Sequence, residues 1–251
     1  MVKYVILLVF VILSIVYFIY RNITFLKSNE LINLLLENKD KYYTTFSKSD
    51  LRARNVNTIQ EYKDSIKNSS TNLNIKQKAY VISQIILVNI QLLPQCFFSN
   101  KFDYRTFLLI PWKVGFVKDN KYENGLPHTR QDTIILPITA IHSEKSSYLR
   151  KLLVHEKVHI YQRMYPIKTS NYLVDQGYSK YKLIKSSKYN IRANPDIDEY
   201  IYKNSSGQLL MAQFNNNKPK NIGSVRYSVG TTQNYEHPYE DMAINLSKNC
   251  A

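Results

Sequence analysis

Two histidines and a glutamate in the stretch LLVHEKVHIYQRMYP, residues 152–166, have the spacing of a metal-binding group. Positions four apart on a helix differ by about 40° around its axis, so His155 and His159 can present imidazole nitrogens to one ion. Glu156 lies beside them, where its carboxylate can act as general base on a water held by that ion. The apolar neighbours predict a buried helix, and buried imidazoles need partners such as a metal ion.

The stretch resembles the active-site helix of the zincin metallopeptidases. The resemblance covers roughly residues 105–251 and is specific only at HEKVH. It implies one zinc ion held by the two histidines, with the glutamate between them as general base in peptide-bond hydrolysis. The metzincin subgroup is not expected, because its glycine and third histidine would fall at Gln162 and Tyr165. The gluzincin arrangement remains, in which a glutamate from a later helix is the third ligand.

Two glutamates in YEHPYEDMA are candidates for that third ligand. Glu240 is favoured, because Pro238 would begin a helix whose first turn carries it against the active-site helix. Glu236 is the alternative. Thermolysin-like gluzincins place an orienting acidic residue four positions after the ligand, and Glu240 would be that residue if Glu236 were the ligand. If Glu240 is the ligand, position 244 is isoleucine, and the orienting role passes to another group such as Asp241.

Three further residues are candidates for substrate or supporting contacts. His128 stands where a strand is predicted to begin and would line the cleft, because zincins lay an edge strand along the substrate. Arg163 lies one turn beyond His159 and is predicted to pair with a carboxylate, with substrate binding as the alternative. Tyr227 is a candidate oxyanion donor, although the sequence does not distinguish it from Arg226 in that role.

Hydrophobic periodicity predicts the elements that must position these residues. Residues 28–94 have helical spacing in SNELINLLLENKDKY, NTIQEYKDSIKN and IKQKAYVISQIILVNIQLLP. YRTFLLIPWKVGFV and DTIILPITAI are rich in β-branched and aromatic residues and predict antiparallel strands. A helix over about 147–164 carries HEKVH, and a strand in IGSVRYSVG and a helix in HPYEDMAINLSK follow it.

This order of elements predicts an α+β fold. Residues 95–251 would form a zincin-like domain with a small, mostly antiparallel sheet, the HExxH helix and a C-terminal glutamate helix. Residues 28–94 would form a helical region that packs on this domain. With 44% hydrophobic and 13% aromatic residues, the composition is that of a folded protein.

Residues 1–21 are predicted to be a single-pass membrane anchor. Residues 2–20, VKYVILLVFVILSIVYFIY, contain one charge and at about 1.5 Å per residue come close to the roughly 30 Å hydrocarbon core. Bulky residues follow the apolar run, whereas a cleavable signal peptide would end in small ones. The lysines and arginines after it favour a cytoplasmic position for the following domain, and a viral envelope or virion membrane is a further candidate location.

The net charge of +15 would suit an anionic lipid surface, although an AT-rich genome would also inflate lysine. The leading function is a membrane-anchored zinc metallopeptidase that acts on peptides or proteins. The alternative is a non-catalytic, membrane-anchored structural protein whose basic surface binds anionic lipid or nucleic acid. The complete HEKVH argues against that alternative, so nucleic acid is not the expected partner. Cys96 and Cys250 can form one disulfide or none.

Overall fold

The structure is a computed structural model that describes residues 10, 13–14, 16–119, 121–142, 146–186, 189–227 and 236–248. Of the predicted anchor, residues 1–9, 11–12 and 15 lie outside this part of the chain. The described remainder of the anchor is helical through Arg21. Cys250, and with it the question of a bridge to Cys96, also falls outside the described residues.

The chain before Trp112 is mainly helical, as the periodicity of residues 28–94 predicts. Its elements are β1 (Ile23–Phe25), α1 (Ser28–Glu37), α2 (Lys48–Ala53), α3 (Ile59–Lys67), β2 (Ser70–Thr71), α4 (Ile75–Leu92), α5 (Gln95–Phe98) and α6 (Tyr104–Leu109).

The remainder of the chain holds most of the strands and the two helices that carry the metal-binding candidates. Its elements are β3 (Trp112–Val117), β4 (His128–Arg130), β5 (Thr133–Pro137), α7 (Ser146–Met164), α8 (Pro166–Asp175), β6 (Ser179–Leu183), β7 (Tyr200–Lys203), β8 (Leu209–Leu210), β9 (Ala212–Phe214), β10 (Val225–Tyr227) and α9 (Pro238–Ser247).

Local side-chain bonds explain where several helices begin. At the start of α4, Asn74 Oδ1 accepts from the Gln77 amide at 2.9 Å, and Gln77 Oε1 accepts from the Asn74 amide at 3.0 Å. This reciprocal capping box satisfies two amides that a helix start leaves without intrahelical partners. Asp103 caps α6 in a similar way through the Thr106 amide. The YRTFLL part of the predicted strand is therefore a helix, and the strand begins only at Trp112.

The central sheet is mixed rather than mostly antiparallel. Its strands β1, β3, β5 and β4 lie side by side in that order, and β2 pairs with β3 near Val117. The pairs β1–β3 and β3–β5 are parallel, whereas β4–β5 and β2–β3 are antiparallel. The predicted antiparallel pairing of β3 and β5 is thus wrong. Residues 118–132 are long enough for a parallel crossover, and they carry β4 to the edge of the sheet.

Hydrophobic cores cover both faces of this sheet. Successive residues of β5 point to opposite faces, so that Ile134 joins one core and Ile135 the other. The first core lies against α4, α7 and α9 and includes Val81, Ile85, Val114, Leu136, Leu153, Val158 and Met242. The second lies against α1 and α3 and includes Leu31, Leu35, Tyr62, Ile66 and Val117. Helices from residues 28–94 therefore contribute to both cores.

One internal helical run in the described residues is long and apolar enough to cross a membrane. It covers the 24 residues Ile75–Phe98, through α4 and α5. About a third of it is buried, including Val81, Ile85, Val88 and Leu92 in the first core. Because core helices of soluble proteins meet the same criteria of length and composition, this run is weak evidence for a membrane span.

Candidate metal site and cleft

The two histidines lie one turn apart on α7, which passes through the first core. Leu149, Leu153 and Val158 are fully buried there and fix the rotation of the helix. This rotation places the Nε2 atoms of His155 and His159 3.1 Å apart. Glu240 Oε2 lies 3.2 Å from Nε2 of His155 and 3.6 Å from Nε2 of His159. The three residues could therefore hold one metal ion between them.

Helix α9 brings Glu240 to the histidines. Pro238 stands in the first turn of α9, and Met242 and Ala243 are fully buried in the core shared with α7. Glu236 precedes the helix and lines the same cleft, but it does not belong to the group of metal-binding atoms. Its Oε1 instead accepts hydrogen bonds from Arg192 and Asn194, each at 2.5 Å.

Gln162 orients His159 and was not predicted from the sequence. Its Oε1 lies 2.8 Å from Nδ1 of His159, and an amide oxygen can only accept, so Nδ1 carries a proton and Nε2 is the nitrogen left to bind a metal ion. The Gln162 amide donates to the Tyr239 carbonyl at 2.9 Å and so connects α7 to α9. The feature of the sequence that points to this contact is that Gln162 lies three residues after His159, on the same face of the helix.

Asp241, a candidate for that orienting role, has other partners. Its carboxylate accepts from the Tyr178 hydroxyl at 2.8 Å and from the Asn245 side chain at 2.9 Å. No bond from Asp241 to His155 or His159 is present among the described residues. Its contacts connect α9 to the chain before β6 rather than to the metal-binding group.

Glu156 lines the cleft beside the metal-binding group and is only 2% exposed. Its Oε2 has no hydrogen-bond partner among the described residues. Burial, together with the negative charge of Asp196, raises the pKa of Glu156 well above its usual range. An unpaired buried carboxylate is costly in a purely structural role, whereas a base that takes up a proton needs such surroundings.

Negative charge around the histidines favours a cation at this position. Burial alone would lower the pKa of His159, but the carboxylates of Glu240 and Asp196 raise it to about 10. Burial alone would raise the pKa of Glu240, but the charge of His159 and hydrogen bonds to both histidines hold it well below its usual range. The group thus holds positive charge strongly, as metal-binding groups do.

His128 lies on the edge strand β4 and lines the cleft. Its Nδ1 is 2.9 Å from the Leu126 carbonyl oxygen, which can only accept, so the proton sits on Nδ1. Nε2 is buried without a hydrogen-bond partner among the described residues. Burial lowers the pKa of His128 and favours the neutral ring, whose Nε2 can accept a hydrogen bond from a ligand in the cleft.

Arg163 connects the strands to the loop that follows β6. It donates to the Gln131 carbonyl, to the Thr129 hydroxyl at 3.0 Å and to the Pro195 carbonyl at 3.0 Å. Asp196 is 3.8 Å from the same guanidinium and accepts from the Thr129 amide at 2.8 Å. Arg163 therefore has structural partners on both sides, and Asp196 lines the same cleft as Glu156.

The helical region forms part of the cleft wall, which the sequence did not predict. The cleft has a volume of about 260 Å³, and Tyr42 and Arg54 line it together with Tyr227. Glu123 accepts from the Tyr42 hydroxyl at 3.0 Å, and its Oε2 is 2.8 Å from the Arg54 guanidinium. Arg54 also donates to the Ala193 carbonyl at 3.2 Å. Residues far apart in the sequence therefore shape one cleft.

Comparisons with protein-family models, with curated proteins and with solved structures each found no match to this chain. A proposal for its function therefore depends on the geometry of the cleft.

Proposed function

We propose that this protein is a membrane-anchored zinc metallopeptidase. The observation that carries the proposal is the placement of His155, His159 and Glu240 around one position, with the unpaired carboxylate of Glu156 in the same cleft. The apolar run of residues 2–20 supports the anchor. The open cleft supports access by an extended chain along β4.

The donor set and its spacing suit zinc. Two imidazoles and one carboxylate are a known ligand set of catalytic zinc. Donor atoms at zinc–ligand distances of about 2.0–2.1 Å in a tetrahedron are separated by about 3.3 Å. The three observed separations, 3.1, 3.2 and 3.6 Å, lie on either side of that value. The bond from His159 to Gln162 supplies the outer support that metal-binding histidines usually have.

Each side chain then has a distinct task in hydrolysis. A bound zinc ion would lower the pKa of a water molecule and polarise the carbonyl of the scissile peptide. Glu156 would accept a proton from the attacking water and return it to the leaving amine. Its buried position keeps bulk water away from that proton. His128 would accept a hydrogen bond from substrate through Nε2.

Replacing Glu156 by glutamine tests the proposal. Glu156→Gln keeps the size of the side chain but removes the base, so we expect cleavage to fall by about 10²–10⁴-fold while bound zinc is retained. Cleavage is measured on a proteome-derived peptide mixture by mass spectrometry of new termini, and metal content by elemental analysis. Glu199→Gln, at an exposed glutamate, is the matched control and should behave as the parent.

Equal cleavage by Glu156→Gln and the parent would contradict this mechanism. If the parent binds no zinc and cleaves nothing, yet binds nucleic acid with a steep dependence on salt, the non-catalytic alternative is correct.

A further inference from the structure

A second, apolar groove lies at the end of the N-terminal helix. Its volume is about 530 Å³, within the roughly 300–1,000 Å³ of typical ligand pockets. Phe18 and Ile19 line it from the N-terminal helix, and Ile90, Leu93 and Phe97 line it from α4 and α5. Trp112 of β3 also lines the groove. The groove shares no lining residue with the cleft that contains Glu156.

Three polar side chains that line this groove donate hydrogen bonds to backbone carbonyls four residues earlier in the chain. Ser14 donates to the Phe10 carbonyl at 2.9 Å, and Asn22 donates to the Phe18 carbonyl at 2.9 Å. Asn89 donates in the same way to the Ile85 carbonyl at 2.7 Å. Such bonds satisfy donors without water, which is necessary where a side chain lies in hydrocarbon. The groove is thus suited to an apolar occupant.

Exposed apolar side chains extend from the groove across one face of the molecule. We call this the apolar face; it comprises Leu87, Ile90, Leu93, Phe97, Phe98 and Leu109. Leu87, Ile90, Leu93 and Phe97 have the spacing of one helical stripe along α4 and α5. Phe97 and Phe98 are 70% and 86% exposed, which is unusual for neighbouring aromatic residues. A contiguous patch of this kind marks a surface that contacts a partner or a membrane.

The position of the N-terminal helix identifies the membrane as that partner. Phe18 on this helix is exposed and lines the groove, while Ile19 lines the groove and also packs into the first core. Residues 2–20 are the run proposed above to span the hydrocarbon. Because the last turn of this run lines the groove, the groove must lie where the chain leaves the bilayer.

Arginines at the edge of the apolar face suit the headgroup layer. The Arg21 guanidinium lies 5.9 Å from the Tyr17 ring centre, and the Arg105 guanidinium lies 5.9 Å from the Phe97 ring centre. Arg105 also donates to the Cys96 carbonyl at 3.0 Å, which holds its charge beside the groove. Arginine next to an aromatic ring is typical of the membrane interface, where charge meets phosphate and the ring meets acyl chains.

We propose that the apolar face lies in the outer part of the bilayer that holds the anchor, and that lipid acyl chains occupy the groove. This proposal rests on the membrane anchor and is independent of the zinc site. The domain would then have a fixed orientation on the membrane, because a helix and an adjacent surface both contact lipid.

The single tryptophan of the chain, Trp112, provides a direct probe, since it lines the groove. The full-length protein is reconstituted into phosphatidylcholine and phosphatidylglycerol vesicles, with the acyl chains either brominated or unmodified. Vesicle flotation first reports whether the protein is membrane-bound. Bromine quenches tryptophan only at short range, so we expect bound protein to lose most of its emission in the brominated vesicles.

Two variants separate the groove from the rest of the surface. Phe97→Asp places a charge in the groove and should restore much of the Trp112 emission while flotation is kept. Ile75→Asp is the matched control and should leave quenching unchanged. Ile75 is 83% exposed and stands at the far end of α4, about 22 Å from Ile90 at 1.5 Å per residue.

Protein that floats but shows no quenching would overturn the lipid-filled groove and leave the anchor standing. A cross-linked dimer that Phe97→Asp abolishes would then identify a second copy as the occupant. Protein that does not float would overturn the anchor and this proposal together, without bearing on the metal site.

Discussion

At the scale of single residues, the two neighbouring glutamates of the cleft, Glu236 and Glu240, differ in their partners. Glu240 Oε2 faces both histidines, while Glu240 Oε1 accepts from Asn194 at 3.2 Å. Glu236 is paired with Arg192, whose charge compensates it. Asn194 donates hydrogen bonds to both carboxylates. One glutamate is therefore available to a cation, and the other is already neutralised.

Removing each charge in turn tests this division. We expect Glu240→Gln to lower zinc affinity by more than the roughly 10–100-fold that loss of an outer-shell partner costs. Glu236→Gln should stay within that range, because it removes only a neighbour of the site. Both affinities are measured by competition with a chromogenic chelator. If Glu236→Gln loses more affinity than Glu240→Gln, the third ligand is Glu236.

Residues of the site could be predicted where chemistry fixes their spacing, and not where only the fold brings them together. HEKVH determines the positions of two candidate metal ligands and a candidate base on one helix, and Pro238 indicates a helix whose first turn carries Glu240. Nothing in the sequence singles out Gln162, because glutamine has no chemistry that marks it as part of a metal site. Asp196 and Arg54 reach the cleft through loops and tertiary contacts that leave no periodic pattern.

At the scale of elements, α7 carries an unusual lysine inside the core. Lys157 stands between the two histidines in the sequence, and its side chain is fully buried. Its Nζ has no hydrogen-bond partner among the described residues and lies 3.9 Å from the Trp112 ring centre. Burial lowers the pKa of this amine well below its usual range. The rings of Trp112 and Phe107 offset only part of the cost of removing the amine from water.

Replacing this lysine should stabilise the helix in its core. Methionine has similar length and no polar atom, so we expect Lys157→Met to raise the free energy of unfolding by about 1–3 kcal/mol. Thermal unfolding followed by circular dichroism measures the change, and zinc content should be unaltered. Lys151→Met, at an exposed position of the same helix, is the control and should change stability little.

A loss of stability in Lys157→Met would show that the contact between the amine and the aromatic rings outweighs the cost of burial. Loss of zinc in that variant would instead assign Lys157 a part in the site.

Most helices could be predicted from the sequence, whereas strand pairing could not. Helical periodicity is local, and a cap such as Asn74 marks where a helix begins. The short helix that Asp103 caps was predicted as a strand. Whether two strands pair parallel or antiparallel depends on the segment that connects them. Nothing in the sequence marks β4 as an insertion between β3 and β5. Every residue of β5 is buried, so it lacks the alternation that would have revealed its two covered faces.

At the scale of the whole molecule, one buried ion pair joins the helical region to the sheet domain. Arg54 and Glu123 have side chains only 3% and 5% exposed. Tyr62 also donates to Glu123, at 2.5 Å, so the carboxylate is well satisfied. Burial alone would raise the pKa of Glu123, but the charge and hydrogen bonds of Arg54 lower it. We therefore expect the helical region and the cleft to unfold as one cooperative structure.

Breaking this pair should therefore weaken the entire protein. Arg54→Ala leaves a buried carboxylate without its counter-ion, and we expect a loss of about 3–5 kcal/mol in the free energy of unfolding. Chemical denaturation followed by fluorescence and by circular dichroism measures it, and both signals should shift together. Arg52→Ala removes an exposed arginine of the same helix and should cost about 1 kcal/mol or less. Separate transitions for the two signals would contradict a single cooperative unit.

The contacts that complete the cleft have a consequence for how the chain folds. Arg54 meets the Ala193 carbonyl across 139 residues, and Tyr42 meets the Glu123 carboxylate across 81 residues. Closing loops of this length costs entropy before the contact returns any stabilisation, so folding is slow when such contacts dominate. We therefore expect the helices to form early and the walls of the cleft to close late. A chain that is still folding therefore has no assembled cleft, and the proposed peptidase would be unable to cut its own exposed segments or those of its neighbours until the fold is complete.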